Sequence, residues 1–179
     1  FPFAYDYADN DPDASPTGQA GSHGTHVAGI TAGNAGEIVG IAPDAQIIVA
    51  KVARSVEGDI TDSGLLAALD DMVILHPDVI NLSLGQLGGM DNEADSVYAT
   101  VFKSLQDVGV TVNAAAGNHY TAGYGNTSGK NLPFASDPDS STQCEPATYS
   151  SVVSVASVDN SLAHSAFTVG DRDIPFQRA

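Results

Sequence analysis

Short apolar runs alternate along this chain with longer segments in which apolar residues recur every three or four positions. The short runs are rich in Ile, Val and Ala, which is typical of buried strands. These predicted strands lie at 45–53, 78–84, 110–116 and 150–158. The periodic segments predict helices. They lie at 61–75 and 94–109, and a run of small residues at 23–32 permits a third, tightly packed helix.

The two periodic helices carry start and stop signals. Thr61 or Asp62 is a candidate N-cap of the first helix, and Pro77 blocks its continuation. Gly109 is a candidate stop for the second helix. The spacing predicts two buried faces, formed by Leu65, Leu69, Met72 and His76 in the first helix and by Val97, Val101, Leu105 and Val108 in the second.

The order of these elements predicts the fold class. Strands that alternate with helices of about 10–15 residues indicate βαβ units and a parallel sheet. Because crossovers between parallel strands are right-handed, we expect helices on both faces. The predicted fold is therefore α/β, with a doubly wound and mostly parallel sheet. Function in such sheets gathers at the carboxyl ends of the strands. Here those ends are "SLG" at 83–85 and "AAGN" at 115–118.

Composition narrows the classes of function. The 179 residues are enough for one ordinary domain with a core. A net charge of −16, from 22 acidic and 6 basic residues, argues against nucleic acid as a partner, because phosphates must be neutralised by Lys and Arg. No apolar run approaches the roughly 20 residues of a membrane helix. The single cysteine, Cys144, excludes a disulfide within the chain, and we expect it to be a small buried hydrophobic residue.

Acidic residues crowd the first 20 positions, where Pro and Gly indicate a loop after a short strand at most. The pattern predicts that all four carboxylates are solvated loop acids that could surround a cation: Asp6, Asp9, Asp11 and Asp13.

Two histidines, His23 and His26, lie three residues apart in "SHGTHVAGI". A zinc peptidase helix spaces its histidines by four and places an acid beside the first, so this pair does not fit that pattern. Taken alone, the pair is also compatible with two polar residues at a helix start. An imidazole can accept and return a proton near neutral pH, so a catalytic base is the third interpretation.

Four further motifs follow "HGTHVAG" in order, namely "GIAPDAQIIVAKV", "DVINLSLG", "AAAGN" and "PATYSSVVSVASVD". The series and its approximate spacings resemble the subtilisin-like serine proteases over nearly the whole chain, from 21 to 169. Five motifs in series are far more specific than one. The resemblance implies a subtilisin-like fold, which we expect to be incomplete at both ends of this chain.

The resemblance also assigns candidate roles. His23 matches the catalytic base of the family, and Asn118 matches the residue that donates a hydrogen bond to the oxyanion. His26 is interpreted as a structural partner packed behind His23. The segment that would pair with the substrate main chain is Ser83, Leu84 and Gly85. The opposite wall of the primary specificity pocket would be Ala115, Ala116 and Gly117. Glu145–Pro146 falls where the family often has a cis peptide bond, and the sequence leaves its isomer open.

Two members of the catalytic triad are missing from the sequence. None of the four early aspartates has the family's D-[ST]-G setting, and Ser128 in "GNTSGK" is a poor nucleophile candidate because no helix follows it. We therefore expect 1–179 to be a partial peptidase domain that holds the His and Asn segments without the Asp and Ser segments. A domain inserted after residue 179 would give the layout of lactocepin-like cell-envelope proteinases. The segment "FPFAYDYADND", which precedes the His motif, also resembles those proteinases.

The function implied is that of a fragment of a secreted serine endopeptidase, inactive by itself, which hydrolyses peptide bonds through an acyl-enzyme. The alternatives are a pseudo-protease or peptide-binding module, and a doubly wound domain of unrelated function. The expected partners are a polypeptide substrate, the remainder of the parent protease and a second copy paired through exposed sheet edges, outside the cell or at its wall. The chemistry needs no cofactor. Calcium is possible, although the segment between "HVAG" and "GIAP" is shorter than the common calcium-binding loop.

Overall fold

The computed structural model describes residues 2–16, 21–55, 58–87, 96–118, 143–156, 166–169 and 172–175. Its internal contacts divide the chain into two compact units, Phe1–Pro77 and Asp78–Ala179. None of the helices within the described ranges combines the length and the apolar character that crossing a membrane requires.

The first unit contains two parallel strands, a short hairpin and two helices. Strand β1 pairs in parallel with β4, in a register that runs from Phe3 opposite Ile48 to Asp6 opposite Lys51. Strands β2 and β3 form the antiparallel hairpin. In chain order the elements are β1 (Phe3–Asp6), α1 (His23–Ala32), β2 (Asn34–Ala35), β3 (Ile38–Val39), β4 (Ile48–Lys51) and α2 (Asp62–Leu75).

Helix α2 supplies the core of the first unit. Its N-cap is Thr61, whose side-chain oxygen accepts a hydrogen bond from the Gly64 N–H at 3.2 Å, so the predicted start is confirmed. His76 closes the helix in a left-handed conformation, before Pro77. The side chains buried along α2 are Leu65, Ala68, Leu69 and Met72. This confirms the predicted face at Leu65, Leu69 and Met72. The prediction is wrong for His76, which is exposed because the helix ends at Leu75.

Helix α1 has the predicted bounds, but the prediction of tight packing is wrong. None of its ten residues is buried, and Ile30 is 56% exposed. It contacts strand β3 of the hairpin that follows, and just after that hairpin the N–H groups of Ile41 and Ala42 donate to the carbonyls of Ile30 and Thr31. The two-residue strand β3 is too short to cover a helix of three turns.

A buried ion pair joins the two parallel strands, which corrects the interpretation of Asp6 as a solvated loop acid. Asp6 ends β1, is only 1% exposed, and accepts a hydrogen bond from Lys51 of β4. Its other oxygen accepts the backbone N–H groups of Ala8 and Asp9, each at 2.9 Å. Asp9 accepts from the Ser55 hydroxyl at 2.6 Å and from its N–H at 3.0 Å. Asp6 is buried because a strand end places it opposite a lysine.

The hydrogen bonds and charges of this network shift two pKa values. The side-chain and backbone hydrogen bonds from Ser55 lower the pKa of Asp9. Burial by itself would lower the pKa of Lys51, but the hydrogen bond and charge of Asp6, with the charges of Asp9 and Asp11, raise it overall. The structure therefore holds Lys51 in its charged form.

The second unit is built on three parallel strands in the order β5-β7-β9, which confirms the predicted α/β class with parallel pairing. Strands β6 and β8 form an antiparallel pair, as do β10 and β11. The elements are β5 (Val79–Leu82), β6 (Gln86–Leu87), α3 (Val97–Asp107), β7 (Thr111–Ala115), β8 (Cys144–Glu145), β9 (Val152–Val155), β10 (Ala166–Val169) and β11 (Arg172–Pro175).

Helix α3 buries a different face from the one predicted. Leu105 is fully buried as expected, but Val97 is 63% exposed and Val108 is 37% exposed. Phe102 takes the central position instead, with its ring 5.4 Å from that of Tyr149 and no exposed surface. The contact between Phe102 and Tyr149 and the packing of α3 on β7 determine which face of the helix is buried. Val97, in the first turn, does not lie on that face and is therefore exposed.

Replacing Leu69 by Ala should lower the free energy of unfolding by about 2–5 kcal/mol, because a fully buried leucine leaves a cavity. Ile74→Ala is the matched control in the same helix, since Ile74 is 80% exposed, and should cost less than about 0.5 kcal/mol. Urea unfolding followed by circular dichroism measures both, and equal costs would contradict this assignment of the α2 face.

Replacing Lys51 by Met should lower the free energy of unfolding by about 3–5 kcal/mol at pH 7, because the buried Asp6 carboxylate loses its partner. Since the pKa of Lys51 is raised on folding, its stabilisation is complete below its unfolded pKa of about 10.4 and is lost as pH rises through the folded value. The stability difference between wild type and Lys51→Met should therefore shrink above about pH 10.

Lys103→Met provides the control, because the Lys103–Asp107 pair is more than half exposed and exposed pairs contribute about 0–1 kcal/mol. A difference for Lys51→Met that stays constant from pH 7 to 11, measured by urea unfolding, would contradict a stabilising charge on Lys51.

Candidate active site

His23 begins helix α1 and is exposed. Ser22 precedes it, and the Ser22 carbonyl accepts the N–H of His26 at 2.9 Å, which closes the first turn. Within the described part of the chain the His23 imidazole makes no hydrogen bond. This exposed imidazole can exchange a proton with a group brought against it.

His26 is also exposed, so the interpretation of it as packed behind His23 is wrong. The hydrogen bonds that α1 accepts from the chain after the hairpin end at the carbonyls of Ile30 and Thr31, at the opposite end of the helix. Among the described residues no three His, Cys, Asp or Glu side chains form a group that could hold a metal ion.

The predicted substrate segments leave neighbouring strands at the same sheet edge. Strands β5 and β7 run parallel with Leu82 opposite Ala114, so 83–85 and 115–117 both start where these strands end. Ser83 accepts a hydrogen bond from the Asn81 side chain at 2.9 Å. The location of both segments at carboxyl strand ends is confirmed, and their contact with a substrate stays a prediction.

Ala116 is held by main-chain hydrogen bonds on two sides. Its N–H donates to the carbonyl of Val155, the last residue of β9, at 2.9 Å. Its carbonyl accepts the N–H of Cys144 in β8, also at 2.9 Å. The end of β7 is therefore fixed between two other strands.

Cys144 lies between the two predicted pocket walls. A methyl group at Gly117 would overlap the Cys144 sulfur, and Gly117 has φ +114°, a conformation that L side chains rarely adopt. A methyl group at Gly85 would lie 2.8 Å from the Glu145 carbonyl oxygen and 3.1 Å from Cys144 Cβ. Glycine is thus required at both wall positions by the close approach of β8.

The turn after β8 is anchored to helix α3. Its Glu145–Pro146 peptide bond is cis, which is the isomer that the sequence left open. The Tyr149 hydroxyl donates to Glu145 Oε1 at 2.6 Å and lies 2.9 Å from the hydroxyl of Ser96, the N-cap of α3. These bonds hold the turn, and with it Cys144, against the core of the second unit.

Asn118 follows Gly117 directly and is exposed. Its main chain is thereby placed two residues after the fixed Ala116. His23 belongs to the first unit and Asn118 to the second. Their convergence on one reacting carbon, and their catalytic roles, stay predictions. Ser128, the weak nucleophile candidate, lies outside the described residues.

Sequence reasoning correctly predicted that Cys144 is buried but missed its position at the site. Burial raises the pKa of its thiol, so the sulfur is uncharged at neutral pH and is a poor nucleophile. Its contact with Gly117 joins residues far apart in the sequence, and no local pattern signals such a contact. The signal in the sequence was the glycine that ends each segment, Gly85 and Gly117, because a glycine leaves room for the close approach of a neighbouring element.

The model of the subtilase family, peptidase S8, matches residues 2–175. The chain belongs to the subtilase family. It is 31% identical over 179 residues to the PI-type proteinase of Lactococcus lactis subsp. cremoris, covering 95% of this chain and 9% of that protein. It is 38% identical over 131 residues to the minor extracellular protease Vpr of Bacillus subtilis (strain 168), covering 69% of this chain and 16% of Vpr.

Solved subtilase structures confirm the fold. A cold-adapted subtilisin-like serine proteinase aligns with a TM-score of 0.56 and 29% identity, over 86% of this chain and 45% of that one. The predicted family and the subtilisin-like α/β fold are thus confirmed. The chain spans only a small part of the length of the lactococcal and Bacillus relatives.

Replacing Gly117 by Ala should destabilise the chain strongly, because the backbone conformation costs about 1–3 kcal/mol and the overlap with Cys144 a similar amount. Gly24→Ala is the control, since its added methyl meets no atom within 4 Å and alanine favours a helix. Urea unfolding of both variants tests this, and a Gly117→Ala chain as stable as wild type would disprove the close approach.

Proposed function

We propose that this subtilase chain supplies the general base and the oxyanion donor of a serine endopeptidase that cuts polypeptides. The observation that carries the proposal lies at the carboxyl edge of the parallel strands, where main-chain hydrogen bonds hold Ala116 two residues before Asn118. A parallel α/β sheet places ligands at this edge, and the family match extends across the segment.

The catalytic cycle assigns one task to each residue. A serine hydroxyl attacks the peptide carbonyl carbon, and His23 takes the hydroxyl proton. The amide of Asn118 donates a hydrogen bond to the oxygen that becomes negative, which stabilises the tetrahedral intermediate more than the substrate. His23 then returns the proton to the leaving amine, and water hydrolyses the acyl-enzyme by the same steps.

The serine and the triad aspartate belong, in this proposal, to the remainder of the parent protease. The small share of the relatives that the chain spans, 9% and 16%, supports this arrangement. The chain by itself is accordingly proposed to be inactive, as one partial domain at 1–179. A further domain after residue 179, as in cell-envelope proteinases, forms part of the same proposal.

An extended substrate would add its main chain to the segments 83–85 and 115–117 by strand pairing. Among the described strands, β5 and β9 each pair only with β7, so one edge of each is open to the parent protease. A chain produced alone would offer the same edges to a second copy. With a net charge of −16, nucleic acid is not a proposed partner.

We propose an extracellular or cell-wall location, supported by a relative named as an extracellular protease. The proposed chemistry uses a hydroxyl, an imidazole and an amide, and so requires no cofactor. A calcium site at 30–39 receives little support, because this segment forms the end of α1 and the β2–β3 hairpin and offers one carboxylate, Glu37.

In the full-length protein, Asn118→Ala should lower kcat by about 10²–10³-fold, a magnitude established in subtilisin itself rather than in this chain. His23→Ala should abolish turnover, whereas His26→Ala, also exposed, should keep kcat within about threefold. Hydrolysis of casein and labelling by a fluorophosphonate measure these effects.

A full-length protein that binds peptides without hydrolysing them or being labelled would instead favour the pseudo-protease. A 179-residue chain that hydrolyses casein by itself would contradict the proposed division of the triad.

A further inference from the structure

We propose that Cys144 is a positioning residue for the oxyanion donor Asn118, acting through Gly117. The inference rests on the proposed function of Asn118 as that donor. The observation behind it is that the Cys144 sulfur occupies the space into which a side chain at Gly117 would project. The thiol is therefore a spacer against the backbone one residue before the catalytic amide.

Gly117 is the point at which the otherwise fixed backbone needs such a spacer. Ala116 is held on both sides by hydrogen bonds to Val155 and Cys144. Gly117 has no side chain of its own to hold it, and glycine has the widest conformational freedom of any residue. The sulfur contact limits that freedom at the left-handed φ of +114°, so it sets the direction in which the chain continues to Asn118.

Cys144 can act as a spacer because its own position is fixed. Its backbone donates to Ala116, its carbonyl accepts the N–H of Ala147 at 2.9 Å, and Gly85 lies against its Cβ. It is 5% exposed, and burial keeps the thiol uncharged, so the side chain is an inert apolar group of defined size. Alanine would leave a gap of one sulfur atom, and valine would press on Gly117.

The catalytic consequence follows from the geometry that an oxyanion donor requires. Such a donor must lie within about 2.7–3.1 Å of the charged oxygen, and a misplacement of 1 Å can cost about 10²-fold in rate. A shift of part of an ångström at Gly117 should therefore lower kcat by about tenfold. KM should change little, because the substrate is bound mainly by main-chain pairing while the amide acts in the transition state.

The test is a double-mutant cycle in the full-length protein, with kcat and KM measured for a peptide substrate. Cys144→Ala should lower kcat by about tenfold with KM within about twofold, and Cys144→Ser, nearest in size, should stay within about threefold of wild type. In the Asn118→Ala background, Cys144→Ala should have no further effect on kcat, because the group that it positions is gone. Cys144→Val gives the same comparison if the alanine variant cannot be purified.

Val110→Ala is the matched control, since Val110 is equally buried but precedes β7 at the end away from the site. It should lower stability without changing kcat. If Cys144→Ala lowers kcat by the same factor with and without Asn118, or leaves kcat unchanged, the positioning role is refuted while the proposed function stands. If the wild-type protein does not hydrolyse peptides, or Asn118→Ala leaves its kcat unchanged, the proposed function fails and the inference fails with it.

Discussion

The main-chain hydrogen bonds at Ala116 are the constraint on which the candidate site depends. They join the end of β7 to Val155 on one side and to Cys144 on the other. Without them the residues that follow would form an ordinary exposed loop after a strand. With these hydrogen bonds, Ala116 is fixed and Gly117 lies against Cys144, so the backbone that leads into Asn118 has a defined path. A preorganised hydrogen-bond donor requires such a defined position.

This constraint explains why two glycines lie at the predicted pocket walls. Strand β8 approaches so closely that a methyl group at Gly85 or Gly117 would meet its atoms. The turn after β8 is in turn held by Tyr149, which contacts Glu145, Ser96 and the ring of Phe102. The hydrophobic core of the second unit therefore supports the site through one continuous set of contacts.

The corrections at Asp6 and at helix α3 have one cause in common. Asp6 looked solvated because its neighbours are polar, but its partner Lys51 is 45 residues away and lies opposite it in a parallel register. Val97 looked buried because of its spacing, but α3 turns Phe102 towards Tyr149. In both cases a distant residue decides burial, and periodicity describes only the local chain.

The sequence by itself determined the order of the three helices and of strands β4, β5, β7 and β9, the start of α2 at its Thr61 cap, and family membership through the motif series. These features depend on the spacing of residues that are close together in the sequence, or on short motifs that can each be recognised by themselves. Only the tertiary structure decided that Asp6 is buried, that α1 is exposed, and that Cys144 separates Gly85 from Gly117. Those facts depend on strand register and side-chain packing between distant segments, which local residue patterns do not encode.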